Sequence, residues 1–161
     1  MSRCFHGLMQ HLTMDFTGPF KESQRARVLV VDDDPFVRDL HAIVLRMNGY
    51  DVTTAEDGVD ALEQLADESF DLMLTDQYMP RLNGASVILA LRSAGSRIPV
   101  IMVSGSLGDT GLPPAIAQEV FAAIPKPAHT AEMLSAIAEA LQSAQAQKGP
   151  GRFQGICELA A

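Results

Sequence analysis

An α/β fold built on a parallel sheet is predicted by three features of this 161-residue chain. Short apolar runs recur along it, amphipathic segments separate them, and four of the runs stop at an acid, a hydroxyl or a lysine. Near-continuous apolar runs suit strands buried on both faces of a parallel sheet, where half-solvated strands would alternate apolar and polar residues. Alternation of such runs with segments of helical period reads as successive βα units.

Residues 1–25 show no clean period and include Gly18-Pro19, which predicts a loosely ordered N-terminal extension. The first run, Val28-Leu29-Val30-Val31, stops at Asp32-Asp33-Asp34. Asp34 then suits an N-cap and Pro35 the first helical position, and Asn48-Gly49 ends the helix. Inside it Phe36, Val37, Leu40, Ile43, Val44 and Met47 recur at three- and four-residue spacing as its apolar stripe. The second strand is read from Tyr50 to Ala55. A second helix fits Val59 to Ala66, with Val59, Leu62 and Leu65 on one side.

The third run, Phe70-Asp71-Leu72-Met73-Leu74-Thr75, ends at Asp76 and leads into a turn-rich loop, Gln77 to Gly84. Ala85 to Arg92 reads as a third helix ended by Gly95. The fourth run, Val100-Ile101-Met102-Val103, stops at Ser104. Between Gly105 and Val120 lie Gly108, Gly111, Pro113 and Pro114, so the helix there is expected to be short and to start near Pro114. The fifth run, Ala122-Ala123-Ile124-Pro125, ends at Lys126. A last helix fits Ala131 to about Ala144, with Thr130 as its cap and Met133, Leu134, Ile137 and Leu141 as its buried stripe. Residues 144–161 include Gly149-Pro150-Gly151 and are too short for an output domain, which leaves one domain over residues 26–143.

Composition narrows the function class. With 47% hydrophobic and 20% charged residues the chain is globular in character, and its formal net charge is −8. Residues 27–142 carry seven Lys/Arg against seventeen Asp/Glu, an excess of ten negative charges. Such a body repels nucleic-acid phosphates, so nucleic-acid binding by this chain alone is not expected. The two cysteines, Cys4 and Cys157, lie in the terminal extensions without metal-like spacing, which fits a reducing cytoplasm. No apolar stretch approaches the ~20 residues of a membrane span, so no membrane insertion is expected.

In a parallel sheet the ligand crevice lies beyond the carboxyl ends of the strands, so the residues that end the runs converge there. Three adjacent carboxylates repel one another unless a cation offsets them, and a hard divalent ion such as Mg2+ takes carboxylate and carbonyl oxygens. Asp76, facing that cation, can attack phosphorus to form an aspartyl phosphate. An ammonium from Lys126 and a hydroxyl from Ser104 suit the charge spread over a transferring phosphoryl group.

The order VLVVDDDP, LTDQYMPRLNG, PVIMVSG and PKP, at these separations, resembles the receiver domain of two-component response regulators over about residues 26–143. The resemblance implies a flavodoxin-like, doubly wound sheet of five parallel strands in the order 2-1-3-4-5 with five helices. It further implies that Asp76 is the phosphoacceptor, that Asp32 and Asp33 organise the magnesium ion, and that Tyr78 offers the metal its backbone carbonyl. Ser104 would follow the phosphoryl group and Lys126 pair with it. The implied partners are a sensor histidine kinase or a histidine phosphotransfer protein as donor, and a downstream protein target. The implied function is that of a stand-alone phosphoacceptor and signalling module, not an enzyme.

Two positions depart from the family pattern. Receivers commonly carry Tyr or Phe three residues before the lysine, and here that residue is Ala123, which predicts that the usual aromatic switch is absent. Phe121 is expected to lie too far from the site to replace it. The stretch Gly105 to Pro114 is rich in Gly and Pro, and reads either as a segment that orders on phosphorylation or binding or as a lengthened surface loop with no regulatory role. The scattered histidines His6, His11, His41 and His129 read as exposed or packed residues, and Met73, Met79, Met102 and Met133 as gap fillers.

Two other functions compete. A magnesium-dependent phosphatase of the haloacid dehalogenase type would use Asp32 and Asp34 as paired acids, but Phe36 stands where a Thr or Val is expected and Asp76 goes unexplained. A receiver-shaped interaction module that is never phosphorylated would not need the full set of site residues.

Overall fold

The computed structural model describes residues 25–105 and 112–147. The elements run β1 (Arg27–Val31), α1 (Pro35–Met47), β2 (Asp51–Ala55), α2 (Gly58–Asp67), β3 (Leu72–Asp76), α3 (Gly84–Ser93), β4 (Val100–Ser104), α4 (Pro114–Ala117), β5 (Ala122–Pro125) and α5 (Thr130–Gln147). All strand pairs are parallel, and the sheet order is β2-β1-β3-β4-β5. Five strands and five helices appear in the predicted alternation.

Strand alternation divides the core into two layers. Val28, Val30, Leu72, Leu74, Ile101, Val103 and Ile124 pack under α1 and α5 against Ala42, Leu45, Met133 and Ile137. Leu29, Val31, Met73 and Met102 face the other way, against Ala61, Leu65, Val87, Ile88 and Ile116 of α2, α3 and α4. Both faces of β1, β3 and β4 are covered, which is why these runs carry no polar alternation. Successive connections leave β1 on opposite sides, first to β2 and then to β3. The switch point therefore falls between β1 and β3, where a crevice opens at their carboxyl ends.

Helix ends follow local chemistry. The Asp34 side chain accepts from the N–H groups of Phe36 and Val37, and Pro35 occupies the first turn, as predicted for α1. Asp57 and Asn83 cap α2 and α3 in the same way. Gly49 and Gly95, with φ of 87° and 78°, take the left-handed turns that follow α1 and α3.

Three details differ from expectation. Helix α5 starts at Thr130, so that residue is the first of the helix and not its cap, and it runs to Gln147, past the expected end at Ala144. The carbonyl of His129 accepts the first helical bond, from Met133. The larger difference is in α1. Its buried residues are His41, Ala42 and Leu45, while Phe36, Leu40, Ile43 and Met47 of the apolar stripe are 86%, 59%, 54% and 81% exposed. Expectations for residues 1–24, most of the Gly105 to Pro114 stretch and the end of the tail, with Cys4, Cys157, His6 and His11, lie outside the described residues.

Candidate phosphoacceptor site

Strand geometry places the acids. Asp32 directly follows β1 and Asp76 is the last residue of β3, its neighbour in the sheet. Both are buried, at 2% and 8% exposure, and Asp33 is exposed beside them. One carboxylate oxygen from each of Asp32, Asp33 and Asp76 lies within 4.8 Å of the other two. A hard divalent cation fits this oxygen set, because two buried anions and a third at the rim otherwise repel in a medium of lowered dielectric.

Lys126 is the second feature of the crevice. Its Nζ donates to Asp32 Oδ2 and Asp76 Oδ2, both at 2.9 Å. Burial lowers the affinity of this ammonium for its proton, but the two carboxylate bonds outweigh burial and hold its pKa above the ordinary lysine value. The chain delivers Lys126 through β5: Ser104 and Pro125 are register partners, and the Lys126 N–H donates to the Ser104 carbonyl at 3.0 Å. Ser104 is buried at the end of β4, one residue beyond Val103, which pairs with Asp76. Asp32, Asp33, Asp76, Ser104 and Lys126 thus gather at one end of three adjacent strands and their neighbour β5. The Tyr78 side chain does not join them, being 61% exposed.

Several supporting residues were not singled out by sequence reasoning. The Arg38 guanidinium donates to the Asp32 carbonyl at 2.6 Å, and the Asp34 N–H donates to Asp32 Oδ1 at 2.9 Å. The Thr75 hydroxyl donates to the Asp76 carbonyl at 2.9 Å, and the Gln77 N–H to Asp76 Oδ1 at 2.6 Å. A Cβ on Gly84 would collide with that same Asp76 carbonyl oxygen, so glycine is required where α3 begins. A Gly in a loop that already read as a turn is the one sequence signal for this. The loop is also latched from outside: Arg81, in the left-handed region at φ 59°, pairs with Asp57 and Glu56. Burial raises the Asp57 carboxyl, but N–H groups of Asp60 and Val59 together with Arg81 hold it below the usual carboxylate range.

His41 of α1 is buried at 8% exposure, consistent with the packed alternative. Burial holds its pKa below the ordinary histidine value, reinforced by the Lys126 charge and opposed by those of Asp32 and Asp76. Met73, Met102 and Met133 are core residues, and Met79 packs against the second cluster. Phe121 precedes β5, is 41% exposed, and lies at the end of the sheet away from the acids, with its N–H bonded to the Val100 carbonyl. Asp34 is committed to capping α1, which removes it from the role that paired acids of a dehalogenase-type phosphatase would need. No helix among the described residues is long and apolar enough to cross a membrane.

Comparison with known proteins agrees with this geometry. The family model for the response regulator receiver domain matches residues 28–138. Among curated proteins, response regulator MprA of Mycobacterium ulcerans (strain Agy99) is 45% identical over 78 residues, 48% of this chain and 34% of that protein. MprA of Mycobacterium sp. (strain KMS) is 34% identical over 124 residues, 77% of this chain and 54% of that protein. The chain therefore spans about half or less of the length of the curated relatives it matches. A Francisella response regulator 1452 receiver domain superposes with a TM-score of 0.70 at 26% identity, covering 74% of this chain and 98% of that one. Response regulator TrrA of Thermotoga maritima, solved in complex with Mg2+ and BeF, gives 0.65 at 26% identity, covering 71% and 98%. Strand order, the gathered acids and lysine, and a family match over more than half of its length lead to one conclusion: the chain belongs to the response regulator receiver domain family.

Proposed function

We propose that this chain accepts a phosphoryl group on Asp76 from a phosphohistidine of a histidine kinase or phosphotransfer protein, and signals through contacts with other proteins. The observation that carries the reading is the convergence of Asp32, Asp33 and Asp76 with Lys126 bonded across two of them. A carboxylate oxygen of Asp76 attacks phosphorus while the phosphorus–nitrogen bond to the donor imidazole breaks. The electron pair of that bond returns to the imidazole nitrogen, and Asp76 becomes an acyl phosphate. Asp32, Asp33 and Asp76, with the Tyr78 carbonyl, would hold Mg2+, which supplies charge neutralisation for the phosphoryl oxygens. The TrrA complex with Mg2+ and BeF supports that assignment by analogy.

The protein's own groups do the rest. Lys126 already bonds the oxygen side of Asp76, so its ammonium can follow negative charge from the carboxylate to the phosphoryl oxygens without rebuilding the crevice. Ser104 stands at the end of the adjacent strand to donate its hydroxyl. Thr75 and Gln77 hold the Asp76 backbone and side chain, which keeps the nucleophile oriented. Ala123 leaves no ring at the usual switch position, so transmission is assigned to a surface of α5, β5 and the Gly/Pro-rich stretch Gly105 to Pro114.

Incubation with acetyl phosphate and Mg2+ tests this. The wild type is expected to gain one hydroxylamine-sensitive phosphoryl group, and Asp76→Asn none. Absence of modification in the wild type would favour an unphosphorylated interaction module, and multiple turnover of small phosphate esters a phosphatase.

A further inference from the structure

Helix α1 presents to solvent four of the six residues that periodicity marks as its apolar stripe, Val37 and Val44 being half-buried. Phe36, Leu40, Ile43 and Met47 are all more than half exposed, and at 100° per residue they occupy about 60° of arc on the helix face turned away from the sheet. Their steps of four, three and four residues are those of d, a, d, a positions in a heptad seam. Together they expose an apolar patch on the order of 500 Å2, at the upper end for a monomer surface and of the kind that marks an interaction site.

The flanks say what covers it. In that register Asp39 and Arg46, both exposed, are the two g positions of the helix, while the e positions are Val37 and Val44. An antiparallel neighbour of the same sequence, related by a two-fold axis near the middle of α1, sets Phe36 against Met47 and Leu40 against Ile43 in mirrored layers. It also sets Asp39 of each copy beside Arg46 of the other, so two opposite-charge pairs line one side of the seam and the valines the other. A parallel neighbour would instead set Asp39 against Val44 and leave Arg46 beyond the last e position of the helix. Arg46 gives one guanidinium nitrogen to the Val52 carbonyl and has others to offer.

We propose that the exposed face of α1 is a self-complementary interface through which two copies of this chain associate antiparallel. Four side chains a side bury on the order of 1,000 Å2 in total, at the low end of specific interfaces, so the dimer is weak and reversible. This does not depend on phosphorylation of Asp76.

Sedimentation equilibrium of the full chain, from about 10 to about 500 µM, reads it out. The weight-average mass is expected to climb from the single-chain 17.3 kDa towards twice that value. Leu40→Asp, at a residue 59% exposed and outside the core, is expected to stay monomeric throughout with unchanged circular dichroism. Asp39→Lys and Arg46→Glu each place like charges in both pairs and are expected to be monomeric alone, yet to associate when mixed. In the mixed pair the introduced lysine of one copy meets the introduced glutamate of the other in one contact, and the native Arg46 and Asp39 meet in the second. A wild type that remains monomeric overturns the proposal and assigns the stripe to another occupant, such as a phosphodonor helix. Dimerisation of Leu40→Asp, or a mixture that stays monomeric beside a dimeric wild type, overturns it as well.

Discussion

Replacing Lys126 by Met probes the electrostatics of the crevice directly. The ammonium bonds two carboxylates at 2.9 Å, one 2% and the other 8% exposed, while the lysine side chain itself is 25% exposed. Removing one partner of a buried ion pair costs about 3–5 kcal/mol, because the remaining charge is left uncompensated. Partial solvent access to Lys126 discounts this to about 2–4 kcal/mol. For a domain of this size that corresponds to a fall in Tm of roughly 10 °C. The loss is expected in full in EDTA, where Asp32, Asp33 and Asp76 face one another without a cation. Millimolar Mg2+ is expected to restore much of it, and Lys126→Met is expected to bind Mg2+ more tightly than the wild type, since a competing positive charge has gone. Thermal melts in EDTA and in Mg2+, with a Mg2+ titration by calorimetry, measure both quantities. Equal stability of variant and wild type in EDTA, or a destabilisation that Mg2+ does not reduce, would refute the reasoning.

Gly84→Ala forces a Cβ into the Asp76 carbonyl oxygen, and overpacking of this kind costs about 1–3 kcal/mol; a urea melt should show the loss, with slower phosphorylation by acetyl phosphate. Asp57→Ala removes the α2 cap and the anchor of Arg81, for a loss of about 1–2 kcal/mol by the same melt, whereas Arg81→Ala, at a half-exposed residue, should cost much less. His41 has a folded pKa below its unfolded one, so the unfolded chain takes up the proton first as pH falls. Its contribution is present above the unfolded pKa of 6.5 and lost as pH drops through the folded value. The wild type should therefore lose stability relative to His41→Leu as pH falls from about 7.5 to about 5.5, a window spanning that unfolded value; parallel slopes for the two proteins would contradict this.

Legibility differed by element for physical reasons. The runs that became β1, β3 and β4 were unambiguous because burial on both faces leaves nothing polar until the strand ends, and the residues at those ends fall together for the same topological reason. Thus Asp32, Asp76, Ser104 and Lys126 could be placed in one crevice before any coordinates. The rotation of α1 was not legible. Its apolar residues spread widely round the helix, with 36/40/43/47 on one side, Val37 and Val44 at that row's edge and Leu45 opposite it, and spacing alone does not say which side faces the sheet. The phase is set by polar contacts at its start: Asp34 caps it, and Arg38 reaches back to the Asp32 carbonyl. These turn Arg38, His41 and Leu45 inward, and the row with Phe36 and Met47 outward. Supports such as Thr75 to the Asp76 carbonyl, and the Arg81 latch, depend on loop geometry that has no periodic signature.

The central claim is that Asp76 is the nucleophile of this crevice, and trapping the acyl phosphate at residue resolution tests it most directly. After reaction with acetyl phosphate and Mg2+, borohydride reduction converts a phosphorylated aspartate to homoserine, which peptide mass spectrometry locates. Homoserine at position 76, dependent on Mg2+ and abolished by Asp32→Asn, is the predicted result; homoserine at another aspartate, or none anywhere in the wild type, would contradict the account.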